Sequence, residues 1–215
     1  GQNRLNEPGV KAVVFNLRDV TERQRLELRQ QALSNLGRSL SSVSEPGGAA
    51  EIIRDVADQL FSWDAFTLDL RCEKTDRTRS ILSVDTIAGQ RGVVETSGGV
   101  HPTSALAKRI MEHGGELILV EDPVRPLPDA RPFGDTGRPS ASLLFAPIRN
   151  RQKVIGLLSV QSYTPRAFAE RDLETLQVLA DHCGGALERI RAEEALRASE
   201  GRFREIFANS PDGIF

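Results

Sequence analysis

The sequence predicts an α+β domain: a central antiparallel hairpin covered on both faces, long helices flanking it, and one long loop able to act as a lid. Three observations carry this expectation. Ser142 to Ile148 and Lys153 to Tyr163 are strand-like runs around the turn Asn150-Arg151-Gln152. Both runs are apolar on both sides, with Leu143 and Phe145 against Leu144 and Ala146, and Ile155 and Leu157 against Val154 and Leu158. Strands of that kind need cover on both faces, which places the hairpin at the centre of the sheet. Helical apolar spacing occurs near either end of the chain, through Leu26, Leu33 and Leu40 and again through Leu173, Leu176, Ala180, Cys183, Leu187 and Ile190. Finally, residues 121–141 form a Pro-, Gly-, Arg- and Asp-rich stretch longer than an ordinary connection, and loops of that length often serve as lids.

The remaining elements follow in order. Val10 to Leu17 is a β-rich run after the turn Asn6-Glu7-Pro8-Gly9, and one strand cannot bury a face alone. Thr21 is a candidate helix N-cap, with Glu22 and Glu27 where the helix dipole favours acid. The helix that follows carries a narrow seam of Leu26, Leu33 and Leu40, with Leu36 between the last two. Such a seam fits a coiled coil or packing within one domain. Ser44-Glu45-Pro46-Gly47-Gly48 ends it, and Ala49 to Phe61 reads as an amphipathic helix with Ile52, Ile53, Val56, Ala57 and Leu60 on one face. Ala65 to Leu70 alternates strictly and is a strand; Ser80 to Asp85 is the next, after a turn at 74–77. Residues 86–99 carry no clear pattern. Pro102 to Glu112 is a helix closed by His113-Gly114-Gly115 through a left-handed cap, and Glu116 to Val120 is a short strand.

From Glu170 a helix can run to Phe207. Gly184-Gly185 in its middle costs about 1 kcal/mol per glycine relative to alanine, which points to a close helix–helix contact. After Ile190 the apolar spacing slips: Glu194 and Arg197 take seam positions before Leu196 and Phe203 resume it. The slip marks a change of register between two packing partners.

Composition bounds the function classes. At 215 residues the chain holds one domain with extensions or two small ones, and 39% hydrophobic with 27% charged residues is ordinary for a globular domain. A net charge of −2 makes no electrostatic case for nucleic acid or an anionic membrane. No apolar run approaches the roughly 18 residues of a spanning helix. The absence of an initiating Met and of a signal peptide fits a fragment excised from a longer cytoplasmic chain whose membrane segments, if any, lie elsewhere. Cys72 and Cys183 stand far apart without a CxxC motif, as free thiols of a reducing compartment do; a disulfide or a nucleophilic thiol is the other reading.

Two kinds of resemblance add to this. Gly9 to Arg23 resembles the closing strand and exit linker of a PAS domain. Ala195 to Phe215 resembles the first helix and opening turn of another. Between them, Ser142-Leu143-Leu144-Phe145-Ala146-Pro147-Ile148, Val154-Ile155-Gly156-Leu157-Leu158-Ser159-Val160, Ala167-Phe168 and Asp172-Leu173-Glu174-Thr175-Leu176…Leu179-Ala180 resemble the C-terminal half of a GAF domain. Ala107 to Asp122 resembles that family's middle helix and following strand. The implied organisation is residues 1–22 from a preceding PAS domain, 23–195 as a GAF domain with its terminal signalling helices, and 196–215 as the start of a following PAS domain. The resemblance implies a central antiparallel sheet, both terminal helices on one face and a loop-covered pocket on the other. It further implies a parallel homodimer, with neighbouring PAS domains and a downstream output domain as partners in the same polypeptide, in a sensor histidine kinase or a cyclic-di-GMP signalling protein.

The chemistry legible in the chain is sparse. His101, His113 and His182 have no partner at metal-ligand spacing and read as surface or helix-end residues. No phosphate-cradling glycine loop, GxSxG elbow or Ser/His/Asp set is present. Residues 101–141 contain no Cys of the kind phytochrome-type attachment needs, which argues against a covalent bilin. The motifs of cyclic-nucleotide-binding and methionine-sulfoxide-reducing GAF domains are missing too. The family resemblance therefore implies a non-catalytic scaffold and leaves the cofactor unknown. Candidate ligand contacts are Leu157, Ser159 and Gln161 on one strand face, with Phe133 and Arg138 closing from the lid; the polar pair equally fits the exposed end of a strand, and the lid an ordinary loop. Candidate dimer contacts are Leu26, Leu33, Leu40, Leu176, Cys183, Leu187 and Ile190. The expected role is a sensory, signal-transmitting module, with a ligand-free dimerisation spacer and a redox enzyme as rivals.

Overall fold

A computed structural model describes residues 2–3, 13–14, 21–72, 75–94 and 99–208. The PAS-like Gly9 to Arg23 stretch falls largely outside these residues, as does the end of the PAS-like C-terminal segment. Ahead of and within the first stretch, β1 (Gln2–Asn3) pairs antiparallel with β2 (Val13–Val14). Two helices follow, α1 (Thr21–Ser41) and α2 (Pro46–Leu60). Pro46 stands at the first turn of α2, where its missing N–H costs no hydrogen bond, so the Pro-Gly-Gly run opens a helix as well as closing one.

The sheet comprises β3 (Ala65–Arg71), β4 (Arg77–Ile87), β5 (Gln90–Val93), β6 (Val100–Pro102), β7 (Glu116–Leu119), β8 (Ser142–Asn150) and β9 (Lys153–Ser162), with α3 (Ala105–His113) between β6 and β7. Its order is β5-β4-β3-β9-β8-β7, with β6 also on β4, and every pairing is antiparallel. The Ser104 hydroxyl caps α3 by accepting from the Ala107 N–H, so this helix starts three residues later than Pro102. At its other end Gly114 has φ +116° and ψ −176°, which is glycine territory but not the left-handed helical cap expected. The chain closes with α4 (Glu170–Ala208), 39 residues long.

Alternation along β3, β8 and β9 divides the core in two. Phe66, Leu68, Leu144, Ala146, Leu158 and Val160 face α1, α2 and α4, joining Leu36, Leu40, Ile53, Leu176, Leu179, Cys183, Leu187 and Ile190 in the larger cluster. Leu143, Phe145 and Leu157 face the other way and join Leu106, Ala107, Ile110 and Met111 of α3. Each fully buried aliphatic side chain contributes about 2 kcal/mol, so the helix-side cluster dominates stability.

Two register shifts alter the simple alternation. On β4, Leu68 pairs with Leu82 but Asp69 with Ser80, so Ile81 is the extra residue. On β9, Ile148 pairs with Gly156 but Arg149 with Val154, so Ile155 is skipped. Ile155 therefore turns into the helix-side cluster and does not share the face of Leu157.

The expected dimer seam needs correction. Leu40, Leu176, Cys183, Leu187 and Ile190 are at most 1% exposed and pack in this chain's own core. Leu33 packs partly buried against the same cluster, and the side chain of Leu26 lies outside the described residues. These heptad leucines bind α1 and α4 to the sheet. Among the described side chains of α4, the large apolar ones left exposed are Val178, Leu196 and Phe203.

Candidate functional site

The lid-side face of the sheet is polar at its centre. Thr67 and Asp69 of β3 project there because Phe66, Leu68 and Leu70 take the helix side. The bulge at Ile81 brings Thr78, Ser80, Ser83 and Asp85 of β4 onto that same face, although strict alternation would separate Ser80 from Ser83. The Ser80 and Ser83 hydroxyls lie 2.9 Å apart. Together with Leu143, Phe145, Leu157 and Gln161, these groups border a cavity of about 350 Å³, walled by Leu106 and Ala107 of α3 and roofed by the 121–141 segment.

Of the ligand contacts expected from the sequence, Leu157, Gln161, Phe133 and Arg138 line this cavity. Ser159 lies fully buried beneath them, with its hydroxyl 2.8 Å from Thr67 Oγ1 and accepting from Gln161 Nε2 at 3.4 Å. Gln161 Oε1 accepts from Ser140 Oγ at 2.9 Å. This polar row is thus spent on internal bonds that tie β3, β9 and the lid.

Asp85, missed in the sequence, fastens the roof. Its carboxylate is buried and accepts from the N–H groups of Thr86 at 2.8 Å and Asp135 at 2.7 Å, and from the Tyr163 hydroxyl. Burial and the neighbouring Asp85 push the Tyr163 pKa up, so the phenol stays a donor. Gly134 sits against Asp85 at φ +64°, where a Cβ would lie 1.9 Å from Asp85 Oδ2. Arg138 stacks on the Tyr163 ring at 4.1 Å, adding a second hold on the lid.

The floor differs. Asp69 Oδ1 and His101 Nε2 are buried without a hydrogen-bond partner. Burial raises the Asp69 pKa, opposed by a hydrogen bond from Ser80 and by the charges of His101 and Arg131. His101 is half-buried and holds its Nδ1 3.1 Å from Thr78 Oγ1, so it is a cavity residue and not a surface histidine. His113, by contrast, is an exposed helix-end residue whose Nδ1 lies 3.0 Å from the Arg109 carbonyl. A signal for Asp69 was present in the run Ala65 to Leu70, whose apolar face fixes the polar one.

Neither cysteine of the chain reaches this cavity. The Cys183 thiol is buried in α4, donates to the Leu179 carbonyl, and is held protonated by burial. Cys72 borders a separate open groove beside Arg71 and Lys108. Among the described residues no cluster of His, Cys, Asp or Glu could hold a metal ion, and no helix is long and apolar enough to cross a membrane.

Comparison with known proteins agrees with this architecture. The sequence model of the GAF domain matches residues 44–188. No curated protein matches the sequence significantly. Among solved structures, the GAF domain of a phosphoenolpyruvate-protein phosphotransferase from Coxiella burnetii has a TM-score of 0.61 at 16% identity, covering 79% of this chain and 98% of that one. The free methionine-R-sulfoxide reductase of Neisseria meningitidis, in complex with its substrate, has a TM-score of 0.57 at 17% identity over 84% and 98%. Residues 122 to 287 of a methyl-accepting chemotaxis protein give 0.55 at 14% over 73% and 97%. At these identities the likeness is one of fold.

Proposed function

Because the chain belongs to the GAF domain family, we propose that it is a sensory and signal-transmitting module of a bacterial receptor, coupling small-molecule binding or an upstream PAS signal to helix rearrangement in a homodimer. A sensor histidine kinase or a cyclic-di-GMP signalling protein is the proposed parent, with catalysis in an output domain outside this fragment. The chemotaxis protein among the structural neighbours is in keeping with a sensory role.

One observation carries the reading. β8 and β9 present Leu143, Phe145 and Leu157 to the cavity and, on the reverse of the same strands, Leu144, Ala146 and Leu158 to the helix-side core. A close-packed core transmits a strand displacement to the helix behind it. The contact with α4 is tight: a Cβ on Gly184 would lie 1.7 Å from the Arg149 carbonyl oxygen of β8. Beyond Ile190, α4 runs on with Leu196 and Phe203 exposed, seven residues apart, as a surface for a partner helix.

The rival readings have less support. A redox enzyme would need a thiol at the cavity, and both cysteines lie elsewhere. A ligand-free spacer would fill the space under the lid with its own side chains, whereas buried polar atoms there lack partners.

The test combines a thermal-shift screen of small metabolites with spin-label distances between Arg197 positions in the dimer. Compounds that raise the melting temperature should shift that distance, and Leu196→Asp with Phe203→Asp should dissociate the dimer. Stabilising compounds that leave the distance unchanged, or a chain monomeric at high micromolar concentration, would refute the coupling.

A further inference from the structure

We propose that the cavity floor recognises a small zwitterion with an apolar body, of which a free α-amino acid with an aliphatic or aromatic side chain is the simplest form. The inference rests on the sensory reading above and adds the class of ligand.

The charges at the floor select this class. Asp69 Oδ1 is a buried carboxylate oxygen without a hydrogen-bond donor. An anionic ligand would leave it so and add repulsion; a positively charged donor would satisfy it. A simple cation is also a poor fit, because His101 on β6 and Arg131 on the lid lie close enough for their charges to act on Asp69, and His101 Nε2 is itself without a partner. The ligand that compensates every group presents an ammonium to Asp69 and, within a few bonds, an anionic acceptor to Arg131 and His101. Burial raises the Asp69 pKa in spite of His101 and Arg131, so an ammonium at this point adds counter-charge where those two do not offset the burial.

Three of the other polar groups lining the cavity are already engaged. Asp85 is committed to three donors, Arg138 lies on Tyr163, and Gln161 bonds Ser140 and Ser159. Leu106, Leu143, Phe145 and Leu157 form an apolar wall of the same cavity, and its volume of about 350 Å³ suits a compact molecule.

Calorimetric titration of the whole chain provides the test, with leucine, methionine and phenylalanine as zwitterions. Isopentylamine and isocaproate serve as leucine analogues stripped of one head group, and neutral indole and benzamide complete the panel. Expected is binding of at least one amino acid, about tenfold or more tighter than either stripped analogue. Asp69→Asn should weaken the amino acid about tenfold while isocaproate, freed of the carboxylate's repulsion, binds no more weakly than before, and Arg131→Gln should weaken the amino acid likewise while isopentylamine binds no more weakly than before. Circular dichroism of each variant controls for folding, and Arg131, on the lid, is the substitution less coupled to the sheet. Stripped analogues binding as tightly as leucine, or affinity indifferent to both substitutions, would overturn the proposal. Binding confined to indole or benzamide would overturn it too while leaving the sensory reading intact. No binding by any of the panel, with the melting temperature raised by the cavity-filling change Ala107→Leu, would overturn both.

Discussion

The two faces of the sheet are built from the same strands and solve opposite problems. Behind β8 and β9 the contacts with α1, α2 and α4 are apolar and close, with Leu144, Ile148, Leu158 and Leu176 wholly buried. In front, hydroxyls, carboxylates and an imidazole face a cavity, and two of their buried atoms remain unpartnered. On the proposed reading, stability and responsiveness are divided by side-chain alternation along a strand and not between separate parts of the chain. A close-packed face resists change and passes displacement on, while a face with unmet hydrogen bonds gains from a ligand.

The largest contrast between the faces should come from the glycine pair of α4. Gly184 meets the Arg149 carbonyl at a distance no Cβ tolerates, whereas Gly185, one residue on, has nothing within 4 Å. Gly184→Ala should destabilise by about 3 kcal/mol by forcing α4 off β8. Gly185→Ala should stabilise by about 1 kcal/mol through helix propensity alone. Chemical denaturation of both variants measures the gap of about 4 kcal/mol; equal effects would mean that α4 does not lie so tightly on β8. The helical spacing alone assigns one role to both residues, and the fold separates them because adjacent helical positions point in different directions.

A second pair probes the two faces of one strand. Leu158→Ala removes a fully buried side chain from the helix-side core and should cost about 4 kcal/mol. Leu157→Ala, beside the cavity, already has fewer neighbours to lose and should cost about 2 kcal/mol. If the two substitutions prove equally harmful in urea titrations, the lid side is packed as tightly as the helix side and the space inferred for a ligand is illusory.

Much of the architecture was legible because it rests on periodicity. The doubly apolar hairpin fixed the centre of the sheet, the long spacing of leucines gave both terminal helices, and the proline-rich stretch at 121–141 marked the lid. What escaped were the features that break period. The skipped residues Ile81 and Ile155 reverse which neighbours share a face, so the polar row of Thr78, Ser80, Ser83 and Asp85 could not be read from alternation. Partner choice was equally hidden. A heptad of leucines looks the same whether it meets a second copy or its own sheet, and Leu40, Leu187 and Ile190 chose the sheet. Asp69 was legible in its strand, which alternates strictly, but its unmet oxygen depends on β4, β6 and the lid arriving together.

Loosening the lid at Asp85 should separate the two faces dynamically. Asp85 is the buried carboxylate that holds both the sheet and the lid, through Thr86, Asp135 and Tyr163. Asp85→Asn keeps an acceptor for two of these donors and replaces the other with an amide that cannot accept from the Asp135 N–H. The loss of one hydrogen bond to a charged group should cost about 1.5 kcal/mol. Because that bond fastens only the roof, the effect should be local. Hydrogen exchange should accelerate across residues 129–138 and stay unchanged in α4 from Leu176 to Ile190, the stretch sealed in the core. Acceleration in both regions would mean that lid and helices open as one unit, and the sheet would then be a hinge between coupled layers instead of a wall between independent ones.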